Sequence, residues 1–192
     1  MDREVRSYAV NELRIDKSEK PKIFGHAVVF DAEADIGGMF RERVARGALH
    51  ERFANADIRA LFNHDPNIVL GRNKNGTLRL SEDDVGLAVE IQPPDTQAAN
   101  DLLSLIERGD ISQMSFAFRT LKQEWDDTKE PPLRTILKAE LFDVSPVTFA
   151  AYPQTDVAVR ELAEFRSKKN PIKRERKIWP SLEAAKTRLK VL

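Results

Sequence analysis

The chain has 192 residues, 41% of them hydrophobic, and its 31 basic residues are balanced by 31 acidic ones. That length fits one domain and a tail around a real core, and the charge balance argues against a dedicated nucleic-acid binder. The absence of cysteine excludes disulfides, a thiol nucleophile and cysteine-ligated zinc, and no apolar run approaches the ~18 residues that a membrane span needs.

Residues 1–20 are highly charged and read as a short strand or an arm, without the apolar stretch of a signal peptide. A β pattern begins after Pro21, with Ile23 to Phe30 bounded by Asp31-Ala32-Glu33. Gly37-Gly38 and Met39 to Val44 follow as a loop and a short strand, and Ala48 to Phe53 is expected to be a short helix. Short strands are expected at Ile58–Asn63 and Ile68–Leu70, around a turn signal at His64-Asp65-Pro66-Asn67. Thr77–Leu80 and Val85–Ile91 read as a hairpin, the second strand alternating Val85, Leu87, Val89 and Ile91 onto one face.

One helix carries every signal of its kind. Pro93-Pro94-Asp95-Thr96 supplies a stop and a cap, Ala98, Ala99, Leu102, Leu103 and Ile106 recur at helical spacing, and Gly109 ends it. Next comes Gln113-Met114-Ser115-Phe116-Ala117-Phe118-Arg119, a strand whose large residues face one way while Ser115 and Ala117 face the other. A polar tip at Asp126 to Pro132 leads into a strand from Leu133 to about Val144, and the core closes near Thr148–Pro153 with a last strand at Val157–Val159. Beyond Phe165 the chain turns basic, with Glu175 the one acid among seven lysines and arginines from Arg166 to Lys177, and a short helix is expected over Ser181–Leu192.

Three side chains invite a common reading. His64 ends the mostly apolar face of Ile58, Ala60 and Phe62, and Asp143 continues the face of Leu137, Ala139 and Leu141, whereas Glu140 shares its face with Lys138. A carboxylate at the edge of an apolar face calls for a partner, and a histidine N–H supplies one. A serine hydroxyl needs a base within hydrogen-bond reach, histidine is suited to that task near neutral pH, and an acid on its other nitrogen fixes the tautomer. Singly, each placement has a mundane explanation: a tolerated strand serine, a turn, a loop cap. Ser112 and Ser145 read as turn residues, His26 as a structural strand histidine and His50 as a residue of the short helix. No histidine pair has metal-ligand spacing and no glycine-rich phosphate loop is present.

The stretches His64-Asp65-Pro66 with Leu70-Gly71-Arg72, Gly76 to Leu80, Arg108 to Phe118, and Val144 to Pro153 resemble the tailed-phage prohead maturation protease family, in order over about residues 20–160. The resemblance implies a mainly β (α+β) fold, a herpesvirus-protease-like β-barrel with a few flanking helices. It implies a serine endopeptidase that cleaves scaffold protein, or the scaffolding segment of the major capsid protein, inside the immature capsid in the host bacterial cytoplasm, and that cleaves itself. Carried over, the nucleophile is Ser115, the base His64 and the third member Asp143, with Glu140 as its alternative; Arg72 is a candidate oxyanion donor. No cofactor is implied. Ala117 and Gln113 stand where the family commonly has glycine, which narrows the site. The expected organisation is a charged N-terminal arm (1–20), a catalytic domain (21–162) and a basic tail (163–192) that is autocleaved or used for targeting. Self-association is an expected partner mode, and membranes and nucleic acid are not. The competing reading is a non-catalytic capsid-assembly or scaffold-binding module.

Overall fold

The computed structural model describes residues 3–8, 13–16, 18, 20–49, 56–149 and 162–167. The chain divides into two compact units, residues 1–159 and 160–192. In the second, residues 162–167 are helical.

The first unit is mainly β. Its strands are β1 (Glu4–Tyr8), β2 (Arg14–Asp16), β3 (Lys22–Val29), β4 (Ala34–Ile36), β5 (Phe40–Val44), β6 (Arg59–Phe62), β7 (Asp65–Arg72), β8 (Leu78–Glu82), β9 (Gly86–Ile91), β10 (Gln113–Asp126) and β11 (Leu133–Val147), with helix α1 (Gln97–Arg108) between β9 and β10. They form two sheets. One runs β2-β3-β9-β8; the other runs β1-β10-β11-β5-β4, with β6 and β7 attached to it through β11. A parallel bridge between Phe30 and Val44 links the two. Among the described residues the pairings do not close into a continuous ring of strands.

The long hairpin β10–β11 is the spine of the larger sheet. β1 lies antiparallel along the outer edge of β10, Ser7 opposite Ser115. The outer edge of β11 carries two short parallel strands at opposite ends, β5 against Leu133–Ile136 and β6 against Asp143–Val144. Met114, Phe116 and Phe118 turn inward, with Phe116 and Phe118 stacked at 4.9 Å, and join Ile23, Val28, Leu87, Val89 and Ile91 from the smaller sheet in one core. Burial of each such side chain is worth roughly 1.5–3 kcal/mol. Gly86 is required where β9 pairs with the end of β3, because a Cβ there would lie 1.9 Å from the Val28 carbonyl oxygen.

The same inward face carries charge. Arg6 and Glu4 on β1, Glu42 on β5 and Arg134 on β11 are all at most 2% exposed. Arg6 bonds Glu42 at 2.7 Å and Glu4 at 2.7 Å, and Arg134 bonds Glu4 at 2.8 Å and Glu42 at 2.6 Å. Two cations and two anions cancel, and hydrogen bonds from Thr120 to Glu4 and from Arg134 to Thr120 further satisfy the group. Such a box withstands burial only when complete. It clamps the first strand to the sheet.

Helix α1 matches its sequence signals. Thr96 accepts a hydrogen bond from the Ala99 N–H, Gly109 ends the helix at φ 81°, and Ala99, Leu102 and Ile106 form the buried stripe. Ala98, expected on that stripe, faces solvent, because the stripe is narrower than the run of apolar residues. Ala48 and Leu49 lie in a turn rather than the expected helix, and residues 50–53, with His50, lie outside the described residues. So do the segment 150–153, the expected strand at 157–159, and the tail beyond 167.

Candidate active site

Strands β6 and β7 meet in a two-residue turn at Asn63-His64, one residue ahead of the turn expected from sequence, with Phe62 paired to Asp65. Both turn residues have left-handed backbone, φ 52° and 59°, the pattern of a type I′ hairpin that follows the natural twist of the strands. Asn63 suits that conformation. Its side chain also donates to Thr148 Oγ1 at 3.1 Å and accepts from the Thr148 N–H at 2.8 Å, while its own N–H reaches the Pro146 carbonyl at 3.0 Å. These three bonds pin the turn onto the end of β11 and aim His64 at the sheet.

The register of β10 on β11 decides what His64 meets. Ser115 lies opposite Ser145 and Ala117 opposite Asp143, but Phe118 lies opposite Leu141. Phe142 is therefore an extra residue, a bulge. Directly opposed residues project to the same face, so Asp143 shares the face of Ser115, Ala117 and Ser145, and Leu141 shares the inward face of Phe118. Simple alternation put Asp143 and Leu141 on one face; the bulge separates them. It also puts Glu140, opposite Arg119, on the Asp143 face, whereas alternation assigned it the other. Bulges commonly re-aim a side chain in this way beside functional sites.

On that face three side chains form a line. His64 Nε2 is 2.6 Å from Ser115 Oγ and His64 Nδ1 is 2.5 Å from Asp143 Oδ1. With Nδ1–H donating to the carboxylate, Nε2 is left as an acceptor for the serine hydroxyl. Asp143 Oδ1 also accepts from Ser145 Oγ at 3.0 Å, and Asp143 Oδ2 accepts from the guanidinium of Arg3. Glu140 is instead ion-paired with Arg119. The Ser115 hydroxyl has a second acceptor, the Arg6 main-chain oxygen at 2.9 Å. It carries one proton and donates to one of the two at a time.

The line is enclosed. Ser115 has no exposed surface, and the side chains of His64 and Asp143 are 16% and 4% exposed. A cavity of about 310 Å³, lined by Arg3, Arg59 and Phe142 among others, opens onto His64 and Asp143. A larger cavity of about 760 Å³ between β7, Pro93-Pro94 and α1 touches none of the three. Arg72 lines that larger cavity and is bound to Asp57 by two hydrogen bonds of 2.6 and 2.7 Å, so its guanidinium is spent on a carboxylate.

Two neighbours of the line escaped sequence reading. Ser145, read as a turn residue, is wholly buried on β11 beside Asp143. Arg3 stands one residue ahead of β1, in step with Val5 and Ser7, and only the pairing of β1 with β10 reveals that this step leads to Asp143. His26 behaves as a structural histidine, bonded to Asp83 at 2.8 Å. Among the described residues no cluster of histidines and carboxylates has the form of a metal site.

A family model described as caudovirus prohead serine protease matches residues 7–169. No curated protein and no solved structure matches the chain.

Proposed function

As this chain belongs to the caudovirus prohead serine protease family, we propose that it is a serine endopeptidase whose nucleophile is Ser115, with His64 as general base and acid and Asp143 as the residue that orients His64. The observation that carries this reading is the unbroken line from Ser115 Oγ through both His64 nitrogens to Asp143. Once the hydroxyl donates to Nε2 rather than to the Arg6 carbonyl, its proton passes to the imidazole as Oγ attacks the substrate carbonyl carbon. Asp143 steadies the imidazolium so formed. His64 then gives the proton to the leaving amine, an acyl-serine remains, and the same histidine draws a proton from the water that releases it. No cofactor enters the sequence of steps.

The substrates are the scaffold protein or the scaffolding segment of the major capsid protein, cut inside the immature capsid in the host bacterium, and the chain's own tail. The basic run from Arg166 to Lys177 offers both an electrostatic handle and a candidate cleavage region. The catalytic domain is proposed as residues 21–162, with its N-terminal flank contributing the contacts described above.

The test is cleavage of co-expressed scaffold and capsid protein. Ser115→Ala and His64→Ala abolish processing while their melting transitions remain cooperative; undiminished processing by Ser115→Ala would sink the assignment. Asp143→Asn lowers the rate far more than Glu140→Gln, by about 10⁴-fold where the wrong histidine tautomer is enforced. The reverse ranking moves the third role to Glu140. Intact-mass measurement shows tail loss in the wild type and a full-length Ser115→Ala chain if self-processing occurs. A scaffold-docking module without activity would instead bind scaffold and leave it uncut in every variant.

A further inference from the structure

We infer that Arg3 is a positioning residue for Asp143, so that the extreme N-terminal segment belongs to the working site. This rests on the serine-peptidase reading of Ser115.

Asp143 presents two oxygens to a nearly closed environment. Oδ1 is held by His64 and Ser145, on one side of the carboxylate. With that oxygen alone held, the group remains free to swing about its own axis, and the imidazole it steadies swings with it. The Arg3 guanidinium holds Oδ2 and removes that freedom. Arg59, directly across from Asp143 in the β6–β11 pairing, offers no substitute, since its guanidinium reaches for Asp57 at 3.4 Å.

The geometry separates this role from that of the strand. β1 is anchored through Glu4 and Arg6, buried on the inward face. Arg3 lies on the opposite face, its side chain 44% exposed. Truncating it opens no core cavity and leaves the anchors of β1 in place. The segment also brackets the reacting groups, touching Asp143 through Arg3 and Ser115 through the Arg6 carbonyl. Arg3 lies outside the residues 7–169 that the family model matches.

The experiment uses the purified full chain and a fluorophosphonate probe that labels activated serines, with the maximal labelling rate and the probe's apparent affinity measured separately. The wild type labels at Ser115 and Ser115→Ala does not. Arg3→Ala is expected to label roughly tenfold more slowly at saturating probe, a fraction of the loss seen when a triad acid is removed outright, with apparent affinity and melting temperature unchanged. Added guanidinium ion, far below unfolding concentrations, restores part of the rate, whereas sodium chloride at equal ionic strength does not. Arg3→Lys falls between. Labelling of Arg3→Ala at the wild-type rate or faster overturns the inference, as does a loss that comes with a lowered melting temperature and no guanidinium rescue. A wild type that never labels at Ser115 overturns the peptidase reading and this inference together, an outcome distinct from the other two.

Discussion

At the scale of single residues, the candidate base occupies a backbone conformation that its side chain does not favour. His64 has φ 59°, in the left-handed region where a Cβ crowds the following carbonyl. Glycine or asparagine is the natural occupant of that turn position. Strain of this kind persists only where the surroundings impose it, here through Asn63 and its three bonds to residues 146–148. The expected signature is a rank order of stability among variants that all lose the imidazole. His64→Gly and His64→Asn are more stable than His64→Ala, and His64→Val is worse than His64→Gly by roughly 1–2 kcal/mol, because β-branching worsens the left-handed clash. Urea unfolding of the four variants checks it; an equal stability for Val and Gly would show that the turn imposes no strain. The histidine was singled out in the sequence by its place at the end of the Ile58, Ala60 and Phe62 face and by its motif. Its conformation was not, since the turn lies one residue earlier than Asp65-Pro66 suggests.

At the scale of elements, alternation carried most of the reading and failed at a bulge. The large-small pattern of β10 identified the strand, its inward face and the outward serine. On β11 the same rule placed Asp143 beside Leu141, and the extra residue Phe142 puts it on the other face, next to Ser115. Nothing local marks Phe142 as unpaired; the bulge exists only in the register between two strands. The buried box on β1 was equally silent, because Glu4 and Arg6 look like any charged terminus until Glu42 and Arg134 are brought to them. That box has a pH signature. Burial pushes the Glu4 carboxyl up, but Arg134 and Arg6 outweigh it and hold the group below its ordinary value. A carboxylate so lowered stabilises the fold above its ordinary pKa of about 4.3 and loses that contribution as pH falls through the lower folded value. Glu4→Gln therefore costs about 3–5 kcal/mol near neutral pH by leaving Arg134 and Arg6 short of an anion. It also flattens the decline in stability between the ordinary glutamate range and more acid pH. Denaturant melts at stepped pH show this, and parallel curves for wild type and variant would remove Glu4 from the account.

At the scale of the whole molecule, the hydrogen-bonded line is assembled from parts of the chain that composition gives no reason to connect: residue 3, the turn at 64, and the hairpin at 115 and 143. Residues 64 and 115 lie inside runs that resemble the family's motifs, and Asp143 directly precedes another. Residues before Pro21 carried no such run and read as a short strand or an arm; β1 is such a strand, completes an edge of β10 and supplies Arg3 to Asp143. The two ends of the chain are thus expected to respond oppositely to truncation. Deleting residues 1–8 strips Glu4 and Arg6 from the box, bares the edge of β10 beside Ser115 and removes the cation on Asp143. That chain should melt far below the full-length protein and lose fluorophosphonate labelling. Ending the chain after Ser167 leaves every described strand and α1 intact, and its melting and labelling should match the full-length protein. Calorimetry and probe labelling of the two truncated chains decide the matter. An N-terminally shortened chain with wild-type melting would make the first strand dispensable, whereas loss of stability from the C-terminal cut would make residues 168–192 part of the fold rather than a segment available for cleavage.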